Sequence, residues 1–140
     1  MHSQIESFLL LHNVRGINGR TIMPLLELYG TCDRLLHKST LNEIARSSSA
    51  GARLVERIRN VKNSYDTQAE LRAAARYGVK IITLFSAQYP LLLKEISVPP
   101  LVLYLRGEGR LSYERALSIV GSRNASIYGQ EMAEQFGRDA

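Results

Sequence analysis

Ala116-Leu117-Ser118-Ile119-Val120, followed by Gly121-Ser122-Arg123-Asn124-Ala125, is the stretch from which the fold reads outward. Its first five residues form a continuous, mostly apolar run of the kind buried on both faces of a parallel sheet. A turn with one glycine comes next, and from Ser126 onward Met132, Ala133 and Phe136 fall on the inward face of a helical pattern. Strand, glycine turn and helix make the first half of a dinucleotide-type βα unit. Val79-Lys80-Ile81-Ile82-Thr83-Leu84 and Leu101-Val102-Leu103-Tyr104-Leu105 are branched or aromatic runs bounded by turn residues. Strands are therefore expected at roughly 79–85, 101–105 and 116–121. Residues 79–140 read as the start of a Rossmann-like α/β domain. A parallel sheet needs further crossovers and covered edges, and the chain stops within a helical pattern at Asp139-Ala140, so the expectation is the N-terminal part of a longer, truncated protein.

Upstream the period is that of helices. Ile5, Phe8, Leu9 and His12 have helical spacing, and Ile22, Leu25, Leu26 and Tyr29 repeat it up to Gly30, a natural stop. Thr31 can cap a short helix bearing Leu35 and Leu36. Thr40-Leu41-Asn42-Glu43 has the spacing of a capping box. After a loop and cap at Ser47-Ser48-Ser49, the residues Leu54, Val55, Ile58 and Val61 mark a helix that could run, bent near Asn63-Ser64, to Tyr77 and end at Gly78. The expected class is α+β/α/β: an all-helical domain over residues 1–78, then the incomplete Rossmann-like domain over 79–140.

Composition narrows the function classes. Eighteen Lys+Arg against 13 Asp+Glu give a net charge of +5, with 45% apolar residues and a single cysteine. Those values fit an ordinary globular protein and exclude collagen, coiled coil and wholesale disorder. Cys32 has no intrachain partner and no signal peptide is visible, which fits a reducing cytoplasm. No apolar stretch approaches the ~18 residues of a membrane span. His2, His12 and His37 lack metal-ligand spacing, no histidine lies beyond residue 37, and no cofactor is implied.

Two turns could meet phosphate. Asn13-Val14-Arg15-Gly16-Ile17-Asn18-Gly19-Arg20-Thr21, lying between two helices, resembles the hairpin of helix-hairpin-helix modules, whose turn amides face a phosphate. Asn18 stands where such hairpins place their second glycine, and its side chain tolerates the left-handed conformation. Gly16, Gly19 and Arg20 are then a weak DNA contact, or the segment is only a helix connector. Arg53, Arg57, Arg59 and Lys62 fall on both sides of an apolar stripe and read as a solvated helix. Gly121, Ser122, Arg123 and Asn124 carry more weight. At a strand's end, backbone N–H groups and the positive end of the next helix converge, and an arginine adds a charge-assisted phosphate contact. The bland alternative is an arginine pairing at the surface. The pattern also departs from Gly-x-Gly-x-x-Gly, since the next glycine is Gly129, which favours an open phosphate chain over an enclosed pyrophosphate.

Tyr89-Pro90-x-x-Leu93, Pro99-Pro100-Leu101-Val102-Leu103-Tyr104-x-x-Gly107 and Ile119-Val120-Gly121-Ser122-Arg123-x-Ala125-Ser126-x-Tyr128-Gly129 closely resemble the DprA/Smf family of bacterial DNA-processing proteins of natural transformation. The N-terminal helices and their hairpin resemble that family's small helical domain, of SAM or helix-hairpin-helix-like type. The resemblance implies a protein that is not an enzyme. It implies binding of single-stranded DNA through an extended Rossmann-like domain, loading of the RecA recombinase onto that DNA, and a homodimer in the intact protein. It assigns Gly121, Ser122 and Arg123 to the DNA pocket, and it leaves Tyr89, Pro90, Pro99 and Pro100 to shape the entry into the sheet. The family's later glycine-rich segment, downstream cations, dimer surface and winged-helix domain lie outside these 140 residues, so the function belongs to the intact protein. The alternative is a fragment of a nucleotide- or nucleotide-sugar-binding Rossmann-type enzyme, which would need an acidic ribose ligand about 20 residues past the glycine turn. A third reading makes the N-terminal helices a protein-interaction module.

Overall fold

The structure, a computed structural model, describes residues 4–107 and 118–139. Contacts divide the chain into two units, Met1–Gly109 and Arg110–Ala140. In the first, six helices precede a small sheet: α1 (Gln4–His12), α2 (Gly19–Tyr29), α3 (Cys32–Leu35), α4 (Lys38–Ser47), α5 (Ser49–Ser64) and α6 (Thr67–Arg76). Then come β1 (Val79–Thr83), the single turn α7 (Leu91–Lys94) and β2 (Val102–Arg106). The described residues are α+β.

Helix α1 is the centre of this unit. Ser7, Phe8, Leu9, Leu10 and Leu11 are all buried, and the helix packs against α3, α5, α6 and both strands. A helix apolar all round is a core helix. The one-sided stripe expected from Ile5, Phe8, Leu9 and His12 is thus replaced by burial on every side of the last two turns, while Ile5 and His12 stay exposed. Around α1 the core gathers Val14, Ile22, Leu35, Val55, Ile58, Ile82 and Leu101.

Local signals set most helix ends. Gly30 closes α2 with φ +89, its amide donating to the Leu26 carbonyl at 2.7 Å. The Thr31 hydroxyl accepts from the Arg34 amide to open α3, and the Ser48 hydroxyl accepts from the Gly51 amide to open α5. Two expectations are corrected. The Thr40–Glu43 capping box does not form, because α4 starts two residues earlier, at Lys38, and Thr40 already lies inside it. The long helix to Tyr77 is two helices: Tyr65 is extended, and the Asp66 carboxylate accepts from the Gln68 and Ala69 amides to start α6 afresh. A carboxylate at an N-cap outweighs the propensity to continue.

The strands pair antiparallel, from Val79 opposite Arg106 to Thr83 opposite Val102, rather than beginning a parallel sheet. Their connection contains only the single turn α7 and no helix able to carry a parallel crossover. Leu84 extends the ladder by donating to the Leu101 carbonyl at 2.9 Å. The Leu101 carbonyl is one of three successive acceptors: the Pro100 carbonyl takes the Tyr89 hydroxyl at 2.8 Å, and the Pro99 carbonyl takes the Gly19 amide at 2.9 Å.

The expected third strand is corrected where it can be seen. Ala116 and Leu117 lie outside the described residues. Ser118, Ile119, Val120 and Gly121 form no strand and are exposed, Val120 to 90%. An apolar run becomes a buried strand only beside other strands, and none flanks it among the described residues. In the second unit α8 (Ile127–Asp139) keeps Met132 and Ala133 half-buried, whereas Phe136, expected inward, is exposed.

Two glycines are fixed by close approach rather than by φ. A Cβ on Gly51 would lie 2.2 Å from the Ile44 carbonyl oxygen, and one on Gly19 would lie 2.4 Å from the Pro99 carbonyl oxygen. Helix propensity alone favours alanine at Gly51 by about 1 kcal/mol. The clash with backbone reverses that sign, so Gly51→Ala and Gly19→Ala should each cost about 1–3 kcal/mol in urea unfolding. A stabilised Gly51→Ala protein would show that α4 and α5 can part freely. Tyr89→Phe should cost about 1 kcal/mol by withdrawing the donor from the Pro100 carbonyl, measured in the same titration.

Candidate nucleic-acid interface

The hairpin and the glycine turn are built differently. In the hairpin, Gly16 takes the left-handed value φ +89. Asn18 does not: its backbone is extended (φ −152, ψ 179), and it serves as the N-cap of α2. Its Oδ1 accepts from the Arg20 and Thr21 amides, each at 3.0 Å, and the Thr21 hydroxyl accepts from the Asn18 amide at 2.9 Å. The Gly19 amide goes to Pro99 and the Ile22 amide to the Asn18 carbonyl. All of the first four amides of α2 are therefore satisfied inside the protein. Gly19 is buried against Pro99, while the Arg20 side chain points to solvent. The first turn of α2 has thus spent its donors within the protein, whereas the Arg15 and Gly16 amides of the hairpin turn find no protein acceptor among the described residues.

The turn at Gly121–Asn124 is open instead. All four residues are exposed, and a Cβ on Gly121 would meet nothing within 4 Å. The Ser122 hydroxyl accepts from the Asn124 amide at 3.3 Å, shaping a hydroxyl turn. Ser126 caps α8: its hydroxyl accepts from the Gly129 amide at 3.2 Å and its carbonyl from the Gln130 amide at 3.0 Å. The Gln130 side chain donates to the Ala125 carbonyl at 3.3 Å, tying the turn to the helix. Two amides at the helix start, those of Ile127 and Tyr128, find no protein acceptor among the described residues. A groove of about 610 Å³ runs along the turn and α8, lined by Gly121, Ser122, Asn124 and Ser126 together with apolar Ile119, Val120, Met132 and Phe136. Arg123 makes no ion pair among the described residues. Free amides at a helix N-terminus and an exposed guanidinium are groups that attract an anion, although Arg123, Ile127 and Tyr128 are not among the residues lining the groove.

Other reactive groups are quiet. Burial pushes the Cys32 thiol up to about 12, so the thiolate nucleophile is absent at neutral pH. Sequence reasoning missed a polar cluster around Glu70, which long-range packing assembles. Burial first, and then the Glu70 carboxylate, raise the phenols of Tyr104 and Tyr65 above their usual range. Burial lowers His12, with Glu70 opposing the shift. The basic residues of α5 are exposed, and Arg59 donates to the Asn42 side chain at 3.1 Å. No helix among the described residues is long and apolar enough to cross a membrane.

Comparison with known proteins bears on the same segment. Residues 80–140 match the family described as DNA recombination-mediator protein A. DNA processing protein DprA of Bacillus subtilis (strain 168) is 37% identical over 70 residues, which are 49% of this chain and 24% of that protein. The chain therefore spans about a quarter of that relative's length. No solved structure matches it. Residues 80–140, which hold the three linked motifs, are thus similar to the DNA recombination-mediator protein A family and to a DNA processing protein DprA.

Proposed function

We propose that the intact protein acts in DNA processing and recombination by binding single-stranded DNA in the cytoplasm, with the turn Gly121-Ser122-Arg123-Asn124 and the start of α8 as one of its phosphate contacts. The family match supports the DNA-processing role. The observation that carries the site is Arg123, exposed and without an ion pair on a turn beside two free helical amides. Protection of incoming DNA, loading of the RecA recombinase and homodimer formation are parts of the same reading. They need segments beyond this chain. So does completion of a Rossmann-like sheet, for which the antiparallel pair β1–β2 would supply one edge. The groups this reading uses are one cation and backbone donors, which bind an anion.

Arg123→Ala in the intact protein should weaken single-stranded DNA binding without unfolding it, since the residue is solvent-exposed. The loss should be similar on oligo-dT and mixed sequence, and the slope of log K against log salt should become shallower by ~0.7, the single-strand value per phosphate. Arg123→Lys should restore only part of the affinity, because the planar fork is lost. Fluorescence anisotropy across oligomer lengths checks all three. An unchanged slope would remove Arg123 from the site. Competition by a mononucleotide, with no dependence on oligonucleotide length, would favour a nucleotide-binding enzyme instead.

A further inference from the structure

The first unit has a groove of about 470 Å³ between α2 on one side and the α4–α5 pair on the other. Helices α4 and α5 pack so closely that Gly51 cannot carry a Cβ, whereas α2 packs chiefly on α3. The floor and walls are Leu25, Leu28, Tyr29, Ile44 and Leu54. Leu28, a large aliphatic side chain in the lining, stands 71% exposed. Arg57 is the one charged residue in the lining. Its guanidinium lies against Gly16, where a Cβ would be 3.2 Å from Nη1, and it makes no ion pair among the described residues. Arg53, one turn earlier in α5, is likewise unpaired. The acidic residue of α2, Glu27, lines a different cleft with Met23 and Phe85. The groove is thus aliphatic with positive charge at one end and no carboxylate to balance it.

We propose that this groove docks an acidic amphipathic helix of a partner protein, with apolar side chains on Leu25, Leu28 and Leu54 and a carboxylate on Arg57. Two helical walls with an unpartnered apolar seam between them are what a third helix completes, through anchors spaced i, i+3, i+4 and i+7. Arginine is also among the residues enriched at interface hot spots. A nucleic acid suits the groove less. Polyanions want a row of cations and exposed aromatic faces, and here one arginine lines the groove and its one aromatic ring, Tyr29, is half-buried. This inference is independent of the phosphate site on the other unit.

The test is selection of a displayed library of helical peptides on the 140-residue chain, then anisotropy with labelled synthetic copies of the selected peptides. Leu28 and Arg57 are exposed, so Leu28→Asp and Arg57→Ala leave the core intact, and circular dichroism verifies it. Selected peptides should carry Asp or Glu beside helical-spaced apolar residues. Their Kd should rise about tenfold or more with either variant, and changing the peptide carboxylate to its amide should abolish the sensitivity to Arg57. No selected peptide, peptides without a carboxylate, peptides indifferent to both variants, or displacement by oligo-dT would each overturn the proposal.

Discussion

Three successive carbonyls hold the first unit together. Those of Pro99, Pro100 and Leu101 each accept one donor from a different part of the chain: the first amide of α2, the Tyr89 hydroxyl and the amide that ends β1's ladder. The two prolines have no N–H of their own, so this length of extended backbone offers acceptors and demands little in return. Their fixed φ also lowers the entropy that ordering the segment would otherwise cost. Through these bonds the helical module and the small sheet share one core, with Leu101 and Val102 buried in the same cluster as Phe8 and Leu11. Gly19 is what allows the approach. Any side chain there would separate the start of α2 from Pro99.

That constraint decides what the hairpin can do. A tight turn with two glycines before a helix has the composition of a phosphate cradle, yet a cradle needs unspent amides. In the first turn of α2, Asn18 takes two and supplies a third acceptor through its own carbonyl, and Pro99 takes the remaining one, which leaves only the Arg15 and Gly16 amides of the turn without an acceptor among the described residues. The same residue types that could serve a ligand serve the fold. At Gly121–Asn124 no long-range partner competes among the described residues, and only the Asn124 amide is spent, on the Ser122 hydroxyl.

Legibility in the sequence followed the range of the interactions. Gly30, Thr31 and Ser48 were readable because each acts within four residues of itself. The interruption near Asn63-Ser64 was legible as a bend, but not as the end of one helix and the start of another, since the Asp66 cap competes with an otherwise continuous helical pattern. The antiparallel pairing of β1 and β2 was not readable, because the residues paired are 19 to 27 positions apart and periodicity carries no direction. Glycine 19 looked like a turn residue when its partner was 80 positions away. Of the candidate site, the turn, its exposed arginine and the following helix were legible. The strand before it was not, because burial of an apolar run depends on neighbours that the run does not encode. The groove at Arg57 escaped notice for a similar reason: a helical wheel places the basic residues of α5 beside its apolar stripe but cannot show that α2 stands off to leave a seam.

The charge pattern along α8 sets how an anion could lie on the second unit. Its N-terminal turn has the positive dipole end, the free amides and the neighbouring Arg123. Further along come Glu131, Glu134 and Asp139, against which Arg138 is already paired with Glu134 at 3.3 Å. The field therefore changes sign within two turns. A phosphate chain placed on the first turn would be repelled by the helix body, whereas the space at Gly121, where a Cβ would meet nothing within 4 Å, is open. One arginine and one helix end neutralise about one or two phosphates, too few for tight binding to single-stranded nucleic acid.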